Sequence, residues 1–149
     1  MAQPPPDLKE RALNFLTRRE HSRLELERKL ARWCEDPTEI AQVLDELQAR
    51  GWLSEQRLIE QLAQARRGKY GSRRIAHELR EKGVSEMAIA TAAAQYRADD
   101  LPAARMVWQR KFNRVPQDAR ERNRQMRFLL GRGFDMEIIS KVLRGGEDN

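Results

Sequence analysis

The stretch ELREKGVSEMAIA at residues 78–90 recurs 50 residues later as FLLGRGFDMEIIS at residues 128–140. Both stretches place a glycine four residues after a leucine and an isoleucine ten residues after it. The leucine-to-isoleucine spacing occurs once more, at Leu30 and Ile40. A repeat of about 50 residues is typical of stacked supersecondary units that share their apolar faces. The sequence therefore predicts one unit built three times.

Further apolar positions keep the same period. Six columns align across the three units, and we expect each of them to face a core. Beyond the leucine and isoleucine columns they are Val43, Ala92 and Val142; Leu44, Ala93 and Leu143; Leu13, Leu62 and Phe112; and Leu16, Ala65 and Val115.

Start and stop signals divide each unit into three helices. Gly51, Gly83 and Gly133 suit the left-handed end of a helix. Side chains suited to capping a first turn occur three times in each unit, at Asp7, Ser22, Asp36, Ser54, Ser72, Ser85, Asp100, Asp118 and Asp135. The predicted helices span residues 7–20, 22–33, 36–50, 54–67, 72–82, 85–98, 100–113, 118–132 and 135–144.

These signals predict an all-α protein with three tandem three-helix repeats in an elongated, curved array. No run of alternating β-branched residues indicates a strand. We expect the repeats at residues 1–53, 54–99 and 100–149, the last with a short C-terminal tail.

Composition narrows the class of protein. The chain has no apolar stretch long enough for a membrane span or a signal peptide, so we expect a soluble, intracellular protein, located in the cytoplasm. We also expect it to be a monomer. Cys34 has no cysteine to pair with, and we expect a small buried filler there; a reactive thiol is the alternative.

Histidine, cysteine and the aromatic residues give little support to catalysis or stacking. His21 and His77 stand in no metal-ligand spacing, and no acid, base and nucleophile set can be assembled. We therefore expect no enzyme, metal or cofactor. Trp33, Trp52 and Trp108 are predicted to pack in the core or between repeats, with base stacking as the alternative.

Positive charge is concentrated toward the C-terminus. The net charge is +6, and residues 101–149 hold 11 lysines and arginines against 6 acidic residues. Arginine predominates, which suits bidentate contact with phosphate or carboxylate. The segment RRGKYGSRR at residues 66–74 combines two glycines, a tyrosine and a helix start. It predicts contact with a polyanion or an acidic groove, the alternative being a solvated helix face.

The order of these motifs resembles the bacterial RecX family. GWLSEQRL at residues 51–58 matches a Gly-aromatic-Leu junction, and a basic, glycine-containing turn follows. Ile75, Glu78, Leu79, Lys82 and Gly83 then match the pattern Ile-x-x-Glu-Leu-x-x-Lys-Gly. The resemblance extends from about residue 8 to residue 144 and is weakest in the third repeat. Ser54-Glu55 replaces the aspartate that is usual in the junction.

The resemblance implies a negative modulator of the RecA recombinase that acts in DNA repair and the SOS response. Members bind in the groove of the RecA filament on single-stranded DNA and inhibit ATP hydrolysis, strand exchange and co-protease activity. We expect basic residues of repeats two and three to contact RecA or DNA phosphates, with Tyr70 as a packing or stacking contact. The basic residues are Arg66, Arg67, Lys69, Arg73, Arg74, Arg80, Lys82, Arg120 and Arg124.

Two alternative functions place the protein in other functional classes. In the first, the three-helix units act as helix-turn-helix modules on single- or double-stranded DNA, with the basic helix at residues 118–132 in a groove. In the second, the protein is a scaffold for another partner and binds neither DNA nor RecA.

Overall fold

The computed structural model describes residues 7–145, and within them it contains nine α-helices and no strand. The all-α prediction is confirmed, with every helix slightly shorter than its predicted range. The predicted ends of the first and third repeats, residues 1–6 and 146–149, lie outside this range. The helices are α1 (Leu8–Arg18), α2 (Arg23–Leu30), α3 (Pro37–Ala49), α4 (Glu55–Arg66), α5 (Ser72–Glu81), α6 (Glu86–Arg97), α7 (Asp100–Lys111), α8 (Ala119–Gly131) and α9 (Met136–Leu143). None of these helices is long and apolar enough to cross a membrane.

The described residues form two compact units. The first comprises residues 7–61 and 81–84, and the second comprises residues 62–80 and 85–145. Helix α4 therefore begins in the first unit and ends in the second. The last residue of α5 and the turn after it belong to the first unit.

In the first unit, α1, α2 and α3 pack against one another. Ala12, Leu26, Leu30, Leu44 and Leu47 are fully buried at their contact. The unit also holds Gly83, whose backbone is in the left-handed region at φ 81°. A side chain at Gly83 would overlap Leu24, so glycine suits this turn in both conformation and space.

In the second unit, α7, α8 and α9 pack against one another, and α7 also contacts α6. Leu129, Phe134 and Ile139 are fully buried there, beside Trp108. The indole Nε1 of Trp108 donates to Oε1 of Gln125 at 2.9 Å, and Gln125 donates to the carbonyl of Arg114 at 3.0 Å. These bonds satisfy polar groups that burial removes from water.

The repeated leucines and isoleucines face apolar cores, as predicted. Leu30, Leu79 and Leu129 are fully buried, and the three isoleucines are at most 6% exposed. The column of Leu16, Ala65 and Val115 is not buried in the same way as the leucine and isoleucine columns. Val115 is 42% exposed because it lies in the irregular segment between α7 and α8, where no helix directs it inward.

Two predicted helix caps are wrong. Ser72 and Asp100 are each the first residue of a helix rather than the residue before it. The carboxylate of Asp100 accepts hydrogen bonds from the Ser72 amide at 3.0 Å and from its hydroxyl at 2.5 Å. Both residues are buried, so this pairing satisfies polar groups that water cannot reach.

The other predicted caps form their side-chain bonds. At Ser22 the capping box is complete: its hydroxyl accepts from the Glu25 amide at 3.0 Å, and the Glu25 carboxylate accepts from the Ser22 amide at 3.1 Å. Asp118 accepts from the Glu121 amide, but the Glu121 side chain accepts from Gln117 instead of closing a box.

Two of the three tryptophans are exposed, so the prediction of core packing is wrong for them. Trp33 is 46% exposed and Trp52 is 42% exposed, whereas Trp108 is buried as predicted. Both exposed rings follow the last turn of a helix and lie against arginine. The guanidinium of Arg11 is 4.3 Å from the ring centroid of Trp33. Cys34, expected to be a buried filler, is only half-buried.

Candidate interaction surface

The predicted basic segment, residues 66–74, comprises the end of α4, the connecting loop and the first turn of α5, and is called the basic loop. Gly68 has φ 78°, a conformation that glycine adopts without strain. The amide of Gly71 donates to the carbonyl of Arg132 at 2.8 Å, and the amide of Arg73 donates to the carbonyl of Gly133 at 3.2 Å. A side chain at Gly71 would overlap the carbonyl of Gly133. The loop is therefore fixed by backbone contact with the turn between α8 and α9.

Three arginines surround Tyr70 on this loop. The guanidinium carbons of Arg66, Arg74 and Arg132 lie 5.9, 4.9 and 5.0 Å from its ring centroid. These distances are within the range of cation–π attraction. The tyrosine thus gathers positive charge from three separate elements: the end of α4, the first part of α5 and the turn after α8.

Glu78 on α5 neutralises part of this charge. Its carboxylate accepts from Nε of Arg66 at 2.9 Å and from Nε of Arg74 at 3.4 Å. Burial alone would raise the pKa of Glu78, but the hydrogen bond from Arg66 and the charges of both arginines outweigh it and lower the pKa. The same bond raises the pKa of Arg66. Arg66 and Arg74 are therefore held by an internal ion pair.

Other predicted residues remain exposed and without an ion-pair partner among residues 7–145. Arg67 and Lys69 lie on the loop, Arg73 lies on the first turn of α5, and Arg120 lies on the first turn of α8. These four side chains are free to contact a ligand or partner.

The remaining predicted residues are engaged elsewhere. Arg80 donates to Glu86 at 2.7 Å, and Lys82 donates to Glu25 at 3.3 Å in the first unit. The guanidinium of Arg124 lies 5.6 Å from the ring centroid of Phe112. The structure therefore gathers Arg66, Tyr70 and Arg74 into one cluster and places Arg80 and Lys82 in separate ion pairs.

Sequence reasoning missed Arg132. Its only local signal is its place between Gly131 and Gly133, in the turn that the repeat places after α8. Its contact with Tyr70 depends on tertiary packing of two distant turns. Within residues 7–145, no group of three or more histidine, cysteine, aspartate and glutamate side chains could hold a metal ion.

Three sequence profiles of one family match consecutive parts of the chain. They describe the first, second and third three-helix domains of RecX and match residues 9–47, 54–92 and 98–143, respectively. Together these matches span most of the chain.

Whole-chain relatives agree with the profiles. The "Regulatory protein RecX" of Chromobacterium violaceum is 44% identical over 149 residues, which is 100% of this chain and 97% of that protein. Its counterpart in Leptothrix cholodnii is 46% identical over 142 residues, 95% of this chain and 90% of that protein. The crystal structure of RecX from Lactobacillus salivarius aligns with a TM-score of 0.81 at 20% identity, over 92% of each chain, and so supports the fold alone. The chain belongs to the RecX family of regulatory proteins.

Proposed function

We propose that this protein is a negative modulator of the RecA recombinase. It binds in the groove of the RecA filament on single-stranded DNA and inhibits ATP hydrolysis, strand exchange and co-protease activity. This role places it in the cytoplasm, in the regulation of DNA repair and the SOS response. Family membership supports the proposal, since relatives at 44% and 46% identity carry the name "Regulatory protein RecX".

The observation that carries the proposal is the rigid, exposed basic loop of the second unit. Arg67, Lys69 and Arg73 project from backbone that is fixed through Gly71. A binding surface whose backbone is already ordered loses less conformational entropy on association. Because no carboxylate among residues 7–145 pairs with these three cations, a partner's acidic groups can do so.

Inhibition follows from binding one state of the filament more tightly than the other. A ligand shifts a conformational equilibrium only by its difference in affinity for the two states, so this protein would block a conformational cycle of RecA by binding one state of the filament more tightly. Cationic side chains that bridge neighbouring RecA subunits in one state would hold the filament in that state. No chemical step on this protein is needed.

The test is RecA ATP hydrolysis on single-stranded DNA while this protein is titrated from well below to above the RecA concentration. We expect hydrolysis to fall at substoichiometric amounts, with Arg67→Glu plus Arg73→Glu weakening inhibition by at least about tenfold, because each reversal replaces an attraction with a repulsion. Arg74 is left intact because its ion pair with Glu78 stabilises α5.

The matched control is Arg28→Glu plus Arg97→Glu. Both arginines are exposed, lie outside the basic loop and have no ion-pair partner among residues 7–145. The control changes the net charge by the same amount. Equal loss of inhibition in both double variants would show that total charge, and not the loop, is responsible. No inhibition by the unaltered protein would refute the RecA role.

A second candidate function is direct binding of duplex DNA through α8. The helix exposes Arg120, Arg122 and Arg124 in its first two turns. Duplex binding through several phosphates would weaken steeply as salt rises. Arg120→Glu plus Arg122→Glu should then abolish duplex binding; duplex affinity unchanged in this variant would exclude α8 as the contact.

A further inference from the structure

A cleft of about 200 Å³ opens beside the α4–α5 loop in the second compact unit. Four cationic side chains line it: Lys69 from the loop, Arg110 and Lys111 from the end of α7, and Arg132 from the turn after α8. Val107 and Phe128 form its apolar wall, and no acidic residue lines it. The cleft therefore concentrates positive charge beside an aromatic surface.

Aromatic rings hold Arg132 in this cleft. Its guanidinium carbon lies 5.0 Å from the centroid of Tyr70 and 5.3 Å from that of Phe128. Its carbonyl accepts the hydrogen bond from Gly71. Contact with an aromatic ring orients a guanidinium without neutralising it. Among residues 7–145 no carboxylate pairs with Arg132, so its charge and donors remain available.

The other three cations are also uncompensated. Lys69, Arg110 and Lys111 are exposed, and none forms a salt bridge with an acidic residue in the described part of the chain. The Nζ of Lys111 lies 5.4 Å from the ring centroid of Phe128. Like charges in one cleft repel one another, and a bound anion relieves that repulsion. Arg66 and Arg74 differ because both pair with Glu78, which offsets part of their charge.

We propose that this cleft is a binding site for the phosphate group of a nucleotide. Two guanidinium groups and two ammonium groups match the charge and the several acceptor oxygens of a phosphate. The apolar wall at Val107 and Phe128 suits the sugar or base attached to it. The inference rests on the proposed function in taking single-stranded DNA as the source; a free nucleotide offers the same chemistry.

The test compares two double variants of the full chain. Arg110→Glu plus Lys111→Glu reverses two cleft charges on exposed side chains that lie outside the basic loop and form no ion pair among residues 7–145, so the fold is expected to persist. Arg28→Glu plus Arg97→Glu is the control, with the same change in net charge outside the cleft. Circular dichroism checks that both variants keep their helices.

Binding is measured by fluorescence anisotropy with a labelled oligothymidylate of about 12 nucleotides. We expect the cleft variant to bind at least about tenfold more weakly, and the slope of log affinity against log salt to fall by about 0.7 for each phosphate that the protein no longer neutralises. We expect the control to bind less than about threefold more weakly. Equal weakening in the two variants would overturn the site.

Competition identifies the source of the phosphate. Magnesium-free ATP that displaces the oligothymidylate from the unaltered protein supports a site for nucleotides in general, and displacement by unlabelled oligothymidylate alone supports a site for a strand. Displacement by polyglutamate at the same charge concentration as the oligonucleotide overturns phosphate recognition.

RecA ATP hydrolysis is measured on the same variants. Weakened oligonucleotide binding with intact RecA inhibition supports the cleft and separates it from the proposed function, whereas unchanged oligonucleotide binding overturns the cleft whatever RecA does.

Discussion

Two groups of cations, one around Glu25 in the first compact unit and one in the cleft of the second, are held in different ways. In the first, Glu25 accepts from Arg19 at 2.7 Å and from Lys82 at 3.3 Å. In the second, no carboxylate among residues 7–145 pairs with the cations of the cleft, which are Lys69, Arg110, Lys111 and Arg132. A paired, partly buried charge stabilises the fold only while its partner is ionised. An unpaired, exposed charge contributes little to the fold and remains available to a ligand.

The two regions also differ in what fixes their geometry. Side-chain carboxylates and imidazole order the cations of the first unit, so pH should change its stability. Backbone hydrogen bonds through Gly71 order the basic loop of the second unit. The conformation of this loop should therefore depend on the space around Gly71 and not on pH. Substitutions that disrupt the Gly71 contact or the Glu25 ion pairs, one at a time, test this difference between the two regions.

Gly71→Ala should have the largest effect, a loss of about 3 to 5 kcal/mol of unfolding free energy. The added methyl group would overlap the carbonyl of Gly133 and approach Cδ1 of Phe134 to 2.7 Å. Either the loop moves away, breaking the Gly71–Arg132 hydrogen bond, or the core around Phe134 is disturbed. Urea unfolding followed by circular dichroism measures the loss.

Gly131→Ala is the matched control for this substitution. Gly131 is in α8, and an added methyl group there would meet nothing within 4 Å. Because alanine favours a helix over glycine, we expect a gain of about 0.5 to 1 kcal/mol. Similar losses at both glycines would show that α8 and its turn are merely sensitive to substitution, without a specific close approach.

Acid should destabilise the first unit through Glu25. Burial alone would raise the pKa of Glu25, but hydrogen bonds from Arg19 and the Ser22 amide outweigh it and lower the pKa from 4.5 to about 2. A carboxyl group with a lowered folded pKa contributes stability that is complete above its unfolded value. We expect roughly 3 kcal/mol to be lost as pH falls from about 4.5 to about 2.

Glu25→Gln should remove most of that acid sensitivity, because the glutamine does not titrate. Unfolding free energies from urea titrations at several pH values give the comparison. An identical acid slope in the Glu25 variant would show that other carboxylates dominate.

Local spacing predicted the cap at Ser22 in the first unit, but not the ion pairs of Glu25 with Arg19 and Lys82. A serine followed three residues later by glutamate is visible in the sequence, and Ser22 with Glu25 forms that box. The repeat likewise predicted the buried leucines, because period and burial are linked in a helix. The contact of Arg132 with Tyr70 joins two turns that no sequence period relates. The bond from Ser72 to Asp100 is also nonlocal, so local rules misassigned both residues as caps.

Asp100→Ala tests that nonlocal bond and should cost about 1 to 3 kcal/mol. The substitution leaves the buried amide and hydroxyl of Ser72 without their acceptor. Asp99→Ala is the control, because Asp99 is exposed and its side chain makes no cap bond; we expect less than about 0.5 kcal/mol there. Thermal or urea unfolding measures the loss of unfolding free energy in each variant. Equal, small losses in the two variants would mean that Ser72 finds another hydrogen-bond acceptor.

The smallest expected effect is a loss of stability near pH 6 from His21. Its ring is buried, with Nδ1 at 3.0 Å from the carbonyl of Arg19 and Nε2 at 2.9 Å from Nζ of Lys29. A carbonyl only accepts, so Nδ1 carries the proton and Nε2 accepts from the lysine. Protonating Nε2 would place a second cation against Lys29.

Burial, together with the charges of Arg19 and Lys29, lowers the pKa of His21 below 6.5, although the Arg19 carbonyl and Glu25 oppose the shift. Above pH 6.5 the imidazole is neutral in both the folded and the unfolded chain, so it does not lower the free energy of unfolding. As pH falls through 6.5, the unfolded chain takes up a proton that the folded chain does not, so stability decreases until the folded pKa is reached. His21→Gln keeps a donor and an acceptor and should remove this slope. The window lies above that of Glu25, so urea unfolding between pH 5 and 7 resolves it; a slope that persists in His21→Gln would show that His21 is not its source.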